Sequence, residues 1–257
     1  MRLAWGFWAV LALAPLACHG QSGWIDLFDG KTMAGWEDPR QKVPPGDAWT
    51  IDDGCLKANR NPRITEDLFN KALFRDFELV FDWKVAPGAN SGVKYRIQDR
   101  VFLVSRFTGK FEDLVNLSIR KRVTSRPDHG QEYVVGFEYQ VLDNARNSDA
   151  RNGTDHQAGA LYDIAGPSRD VTRPAGQFNQ SRLIVKGNHV EHWLNGVKVV
   201  DTQLDSPHAV ERISGRWGKG SPVSEEMTTQ PKKDCPISLQ NHGGEAWFRN
   251  IRIRRLE

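Results

Sequence analysis

Alternation with a period of two recurs through this sequence and leaves it few folds to choose from. In Phe77-Glu78-Leu79-Val80-Phe81-Asp82-Trp83-Lys84-Val85, the residues Phe77, Leu79, Phe81, Trp83 and Val85 fall on one face of a strand. Pro87-Gly88-Ala89-Asn90-Ser91-Gly92 then turns the chain, and Val93, Tyr95 and Ile97 alternate with Lys94, Arg96 and Gln98. Trp49 to Leu56 reads as a hairpin around Asp52-Asp53-Gly54, and His189 to Asp201 as another with Asn195-Gly196 at its tip. A strand at Tyr133–Leu142, a second at Ala160–Ile164 and a last one at Ala246–Leu256 complete the pattern. No window carries a long, capped 3.6-residue stripe. Many short strands without βα alternation predict an all-β fold, a two-sheet antiparallel sandwich or jelly roll. Val101–Gln131 and Gly215–Asp234 interrupt the pattern as two long loop insertions.

A chain of 257 residues accommodates one such domain, and residues 21–257 are read as one. Lys and Arg number 35 against 32 Asp and Glu, a balance of +3 with no dense basic run, so no nucleic-acid partner is expected. Arg249, Arg252, Arg254 and Arg255 mostly alternate with apolar residues and read as the solvated face of a strand. Residues 1–20 read as a signal peptide: Arg2, an apolar run Leu3–Leu13, then small residues. Leu16-Ala17-Cys18 resembles a lipoprotein signal, with Pro15 where that signal wants an aliphatic residue. Export to the periplasm or to an outer-membrane lipid anchor on Cys18 is the expectation, and that lipid would be the chain's only link to a membrane. Cys55 and Cys235 are left either to pair in an oxidising compartment or to stand as two separate buried thiols.

Hydrolytic signatures are missing: there is no G-x-S-x-G elbow, no recognisable cysteine site and no HExxH. His189 and His192, three apart in a strand, point to opposite faces and cannot chelate together. The polar residues that stand out are Glu138 and Gln140 on one strand face, Lys94 and Arg96 on another, and Asp143 in the loop after Leu142. From spacing alone they read best as a cross-strand ion pair on a solvated sheet face.

Taken together, several segments resemble the 3-keto-disaccharide hydrolase domain family. They are Trp24–Thr32 with Gly35-Trp36, Asn90–Arg96, Phe137–Asp143, Ala158–Asp163, Lys186–Gly196, and Ile237–Gly243 followed by Trp247–Ile251. They come in the family's order and cover nearly all of the mature chain. The resemblance implies a concanavalin A-like jelly roll, exported by bacteria, acting on glycosides already oxidised at C3 of a sugar ring. The ketone acidifies the C2 hydrogen, so a base removes it, the C1 substituent leaves by β-elimination, and water adds to complete a net hydrolysis. The implied substrate is a small glycoside or oligosaccharide, and a separate sugar 3-oxidoreductase must make the ketone. A lectin-like binding module on the same scaffold is the alternative.

Carried onto this chain, the resemblance makes Glu138 the base or a metal ligand, with Arg96 and His242 completing a catalytic set. Lys94, Gln140, Asp143, Tyr162 and Trp247 become substrate-binding candidates. A divalent cation bridging the ketone and a hydroxyl is allowed, with Glu138, Asp143 and Asp149 as candidate ligands. Two departures stand out. Asn147-Ser148-Asp149-Ala150 replaces a His-Pro-Asp-Ala run of many relatives, and Phe178-Asn179 replaces Trp-Asn. Asn147 cannot take a proton, so any base at that position is lost here.

Overall fold

The computed structural model describes residues 23–37, 46–103, 130–228 and 234–257. In chain order its strands are β1 (Ile25–Asp26), β2 (Trp36–Glu37), β3 (Trp49–Asp52), β4 (Cys55–Ala58), β5 (Ile64–Thr65), β6 (Leu68–Asn70), β7 (Phe77–Val85), β8 (Asn90–Leu103) and β9 (Gly130–Leu142). They continue with β10 (Asn179–Lys186), β11 (His189–Leu194), β12 (Val197–Gln203), β13 (Ser238–Leu239) and β14 (Ala246–Arg255). One sheet has eight strands in the order β12-β11-β10-β7-β14-β4-β3, with β1 beside β14; the other has six, β2-β6-β13-β8-β9-β5. Pairing is antiparallel except between β5 and β9. The signal region and Asp113–Ile119, a candidate for a short helix or extra strand, lie outside the described residues.

The alternation of β7 does what its sequence demands. Phe77, Leu79, Phe81, Trp83 and Val85 are buried against Val135, Phe137, Tyr139 and Val141 of β9 in the facing sheet. Phe81 meets Tyr139 edge to face at 5.5 Å, an arrangement that adds roughly 1 kcal/mol beyond burial. Both hairpins close on two-residue turns whose residues sit at positive φ, Asp53 (46°) with Gly54 (70°), and Asn195 (48°) with Gly196 (82°). That geometry matches the twist of the flanking strands and explains the residue choice.

Two expectations need correction. Ala160–Ile164 is not a strand; it is a turn held by isolated bridges from Leu161 to Tyr139 and to Ala165. The Gly215–Asp234 region is not simply loop, because α1 (Pro207–Trp217) ends in it and α2 (Pro222–Thr228) lies within it. Ser206 caps α1 by accepting from Ala209 N at 3.3 Å, Pro207 opens it, and Ala209, Ile213 and Trp217 bury one face. These two helices are too short and too polar to cross a membrane. Of the two alternatives left for Cys55 and Cys235, separate buried thiols is the one observed; Cys55 belongs to β4 of the larger sheet, and Cys235 pairs through its backbone with Phe74.

A polar seam runs through the core. His192 Nε2 lies 3.1 Å from Tyr95 Oη, and its Nδ1 lies 3.0 Å from Gly159 O. The neutral ring with its proton on Nδ1 satisfies both contacts, donating to the carbonyl and accepting from the phenol. Burial pulls the His192 pKa from 6.5 down to about 4. Between those two values the unfolded chain binds a proton that the folded chain refuses. Stability from this residue is therefore complete above about pH 6.5 and declines as pH falls towards 4, by roughly 3 kcal/mol in all. Urea midpoints measured at pH 7 and pH 4.5 should fall further apart in the native protein than in His192→Gln; equal separations would remove His192 from the acid response.

Candidate active site

The antiparallel register of β8 and β9 places Lys94 opposite Glu138 and Gly92 opposite Gln140, so these side chains share the outer face of the smaller sheet. Glu138 Oε2 stands 3.8 Å from Lys94 Nζ, and Asp67 Oδ2 stands 3.9 Å from the same ammonium. Lys94 also donates to Val134 O at 3.3 Å, and Ser238 donates to Asp67 at 3.0 Å. All of this is nearly dry: the side chains of Lys94 and Asp67 are 4% and 2% exposed, and that of Glu138 12%. Burial pushes the Glu138 carboxyl above its ordinary value, with Lys94 and Arg216 pulling the other way. Burial also opposes the charge on Lys94, but Asp67 and Glu138 outweigh it and hold the ammonium protonated.

Gly92 is what makes room for this acid. A Cβ built there would sit 2.8 Å from Glu138 Cδ, a separation that real side chains do not tolerate. The Asn90-Ser91-Gly92 sequence therefore serves Glu138 directly, besides ending a turn.

Around the pair lies a hollow of about 80 Å3 that also takes in Gln140, Asp149, Tyr162, Arg216 and His242. His242 is exposed and forms a wall common to this hollow and to two adjoining cavities of about 270 and 620 Å3. Asp149 opens a 3₁₀ turn and accepts from Gln140 Nε2 at 3.4 Å; its other oxygen lies 2.9 Å from His156 Nδ1. Tyr162 is fixed by its backbone N–H to Glu138 O at 3.0 Å, and burial keeps its phenol protonated.

Arg96 does not join this group. Between the pairs Tyr95–Phe137 and Asp99–Val135, three residues of β8 face Gly136 alone. Arg96 takes a φ of 48° there, which breaks the alternation and re-aims its side chain. It is 1% exposed and reaches Asp76 at 3.5 Å and the carbonyl of Gly187. Gly136 permits the irregularity, since a Cβ would lie 3.0 Å from Tyr95 O. Burial lowers the Arg96 pKa, so it braces the loop ends of the larger sheet under strain of desolvation.

The guanidinium in the hollow is that of Arg216, from the last turn of α1. It donates to Asp163 at 2.8 Å and to Tyr133 Oη at 3.0 Å, and lies 4.9 Å over the Tyr162 ring. Burial works against its charge, but Tyr133 and Asp163 more than compensate. Sequence reading passed over Arg216 because it passed over α1, although Ser206-Pro207 and the spacing of Ala209, Ile213 and Trp217 carry a helix signal.

Two further candidates stand elsewhere. Asp143 holds the adjoining loops, accepting from Gly88 N at 2.9 Å and Ala145 N at 3.1 Å, and lines a different cavity. Trp247 lies on the outer face of the larger sheet, donating to Asp52 at 2.8 Å beneath Lys57 and Lys84. Asn147 is a loop clamp: it donates to Gly88 O at 2.8 Å and accepts from Asp149 N at 2.9 Å. Phe178 packs under Arg249, 3.7 Å from ring centre to guanidinium carbon.

Of the candidate cation ligands, Glu138 and Asp149 share the hollow and Asp143 lines a different cavity. Asp143 is occupied elsewhere, and Glu138 and Asp149 are not part of a three-ligand group. Among the described residues the groups of three acidic or histidine ligands are Asp155–His156–Asp163 and His189–Glu191–Asp201. Arg212 already spans Asp155 and Asp163 at 2.6 and 2.5 Å, and Lys198 sits against Glu191 and Asp201. In the hollow itself, Lys94 and Arg216 supply the positive charge. A larger cleft of about 740 Å3, with Asp82, Arg182 and Trp193, opens on the other sheet. It shares no residue with the hollow, and its one displaced carboxyl, Asp29, is an exposed group lowered by hydrogen bonds from Thr32 and Lys31 rather than raised by burial, so size does not decide the site.

The two-sheet antiparallel sandwich thus carries a nearly dry, charged hollow on the outer face of its smaller sheet. The chain belongs to the family described as the 3-keto-alpha-glucoside-1,2-lyase-like domain, whose model matches residues 23–254. It is 31% identical over 258 residues to a protein of Bacteroides thetaiotaomicron named 3-keto-disaccharide hydrolase, an alignment covering 91% of this chain and 79% of that one. Its fold is that of a Parabacteroides distasonis protein provisionally named a glycosyl hydrolase, with a TM-score of 0.66 at 23% identity over 91% of this chain and 94% of the other. A second structure of that kind from the same organism gives 0.57, also at 23% identity, covering 91% and 99%.

Proposed function

We propose that this protein cleaves 3-keto-glycosides by β-elimination, with hydration of the product completing a net hydrolysis. One observation carries the reading: a buried carboxyl, Glu138, with a raised pKa, shares a hollow with two cations and borders an exposed imidazole. Glu138 takes the C2 proton. The electron pair moves into the C2–C3 enolate, whose O3 charge is met by Arg216 and Lys94. As the enolate collapses, the C1–O bond breaks, and the departing oxygen takes a proton from His242. The product is a 1,2-unsaturated 3-keto sugar, and water adding across that double bond yields the free 3-keto sugar. Desolvation suits this chemistry, since an acid raised towards neutrality is a stronger base once ionised.

A purely lectin-like role has less support. Such binders rest on exposed aromatic platforms, and Trp247, the platform candidate, is on the opposite sheet beneath two lysines. The chemistry calls for a separate oxidoreductase that makes the ketone. Export, with residues 1–20 as the signal and Cys18 as a lipid site, is part of the same proposal.

The test is incubation of the purified protein with 3-keto-trehalose, 3-keto-lactose and a 3-keto aryl glucoside, each with and without chelator. Cleavage that survives the chelator supports this account. Binding without cleavage would favour the lectin reading, and loss of cleavage with chelator would place a metal where Lys94 and Arg216 are assigned. Gly92→Ala should lower kcat by roughly 10–100-fold, because its methyl displaces the Glu138 carboxylate; an overpacked site of this kind also costs about 1–3 kcal/mol of stability. Unchanged kcat in that variant would show that Glu138 need not occupy its observed place.

A further inference from the structure

We propose that Asn90 and Gln240 read substrate hydroxyls, an assignment that rests on the hollow being where a sugar ring reacts. Both side chains line the hollow of Glu138, Lys94 and Arg216. Asn90 Oδ1 and Gln240 Oε1 are buried acceptors without a hydrogen-bond partner. Buried polar atoms of that kind are scarce, and each costs free energy until something donates to it.

The backbone holds both amides in place. Asn90 opens β8 in register with Leu142, and Gln240 N donates to Gly92 O at 2.8 Å while Ser91 Oγ donates to Gln240 O at 2.7 Å. The two amides thus flank Gly92, the residue that makes room for the Glu138 carboxylate. Two kinds of ligand can satisfy an orphan acceptor, a hydroxyl donor or a cation. In that hollow of about 80 Å3 the carboxylates of Glu138 and Asp149 are already matched by Lys94 and Arg216, which leaves no net negative charge to hold a further cation, whereas neutral O–H donors need none. Asn90 also lines the adjoining cavity of about 620 Å3, so it reads a hydroxyl at the border between the hollow and the outer cleft, whereas Gln240 reads one inside. A site built to receive a hydroxyl rejects the analogue that lacks it far more strongly than an apolar pocket rejects a missing methylene.

The experiment compares methyl 3-keto-glucoside with its 2-deoxy, 4-deoxy and 6-deoxy analogues in the native protein, Asn90→Ala and Gln240→Ala. The readout is kcat/KM, with Kd by calorimetry for the same compounds. The native protein should disfavour at least two analogues by roughly 10–100-fold, and each variant should erase the penalty for one of them. If thermal melts show that a variant fails to fold, Asn90→Leu and Gln240→Met remove the acceptor while keeping the volume. The assignment is overturned if the native protein shows no deoxy penalty or no binding, or if the variants leave the penalties unchanged. It is also overturned if added Mn2+ or Mg2+ restores the variants, which would make the amides metal ligands. Absence of turnover with the Kd pattern intact would overturn the elimination reading and leave the hydroxyl assignment standing.

Discussion

Glu138→Gln should lower kcat on a 3-keto-glycoside by roughly 10²–10⁴-fold while the protein still folds. A positioned general base contributes roughly 10²–10⁴-fold, and an amide of the same shape cannot take the C2 proton. The substitution also removes one of the two carboxylates beside Lys94. Asp67, at 3.9 Å, remains, so the ammonium is not left unpaired and the loss of stability should stay near 1–3 kcal/mol. Asp67→Asn is the matched control. It takes the same charge from the other side of Lys94, so it should cost similar stability but leave kcat within about tenfold. Equal kcat losses in the two variants would mean that Glu138 acts only by pairing with Lys94. The native pH profile should agree: Glu138 works ionised and burial raises its pKa, so activity should fall on the acid side at a pH above the ordinary glutamate value of 4.5.

Arg216→Ala should reduce kcat by roughly 10²–10³-fold, the usual cost of losing one group aimed at a developing oxyanion. Arg216→Lys should recover part of it, because a single ammonium keeps the charge but not the fork that holds both Asp163 and Tyr133. Arg96→Lys gives the contrast. That residue is buried against Asp76 and Gly187, away from the hollow, so the change should cost roughly 2–4 kcal/mol of stability and little kcat. If Arg96→Lys were the inactive one, the roles assigned to the two arginines would be reversed.

The contrast between these two arginines also shows how far the sequence could be read. A period of two fixes which residues share a face only while the ladder is regular. It put Glu138 with Gln140 on one face of their strand, and the uninterrupted register there sets Lys94 opposite Glu138. It failed two residues later, where three residues oppose one and Arg96 turns away. Gly136 was the available warning, since a glycine inside a strand often marks an irregularity. The hairpin tips Asp53-Gly54 and Asn195-Gly196 were legible because few residues accept positive φ. Helix α1 was not seen, and with it went Arg216, because eleven residues with three buried positions leave a weak stripe among so many strands. Asp67 had no sequence signal at all; only the sheet order, which sets the start of β6 one strand beyond β13 from Lys94, brings it within 3.9 Å of that ammonium.

The most direct measurement follows the fate of the C2 hydrogen. A 3-keto-glycoside cleaved in D2O and watched by NMR from the first turnovers should give a 3-keto sugar carrying deuterium at C2, with the 1,2-unsaturated sugar as its precursor. Deuterium should enter no faster than cleavage in the Glu138→Gln protein, where both nearly stop. Cleavage that retains the original C2 hydrogen would contradict elimination and point instead to displacement at C1.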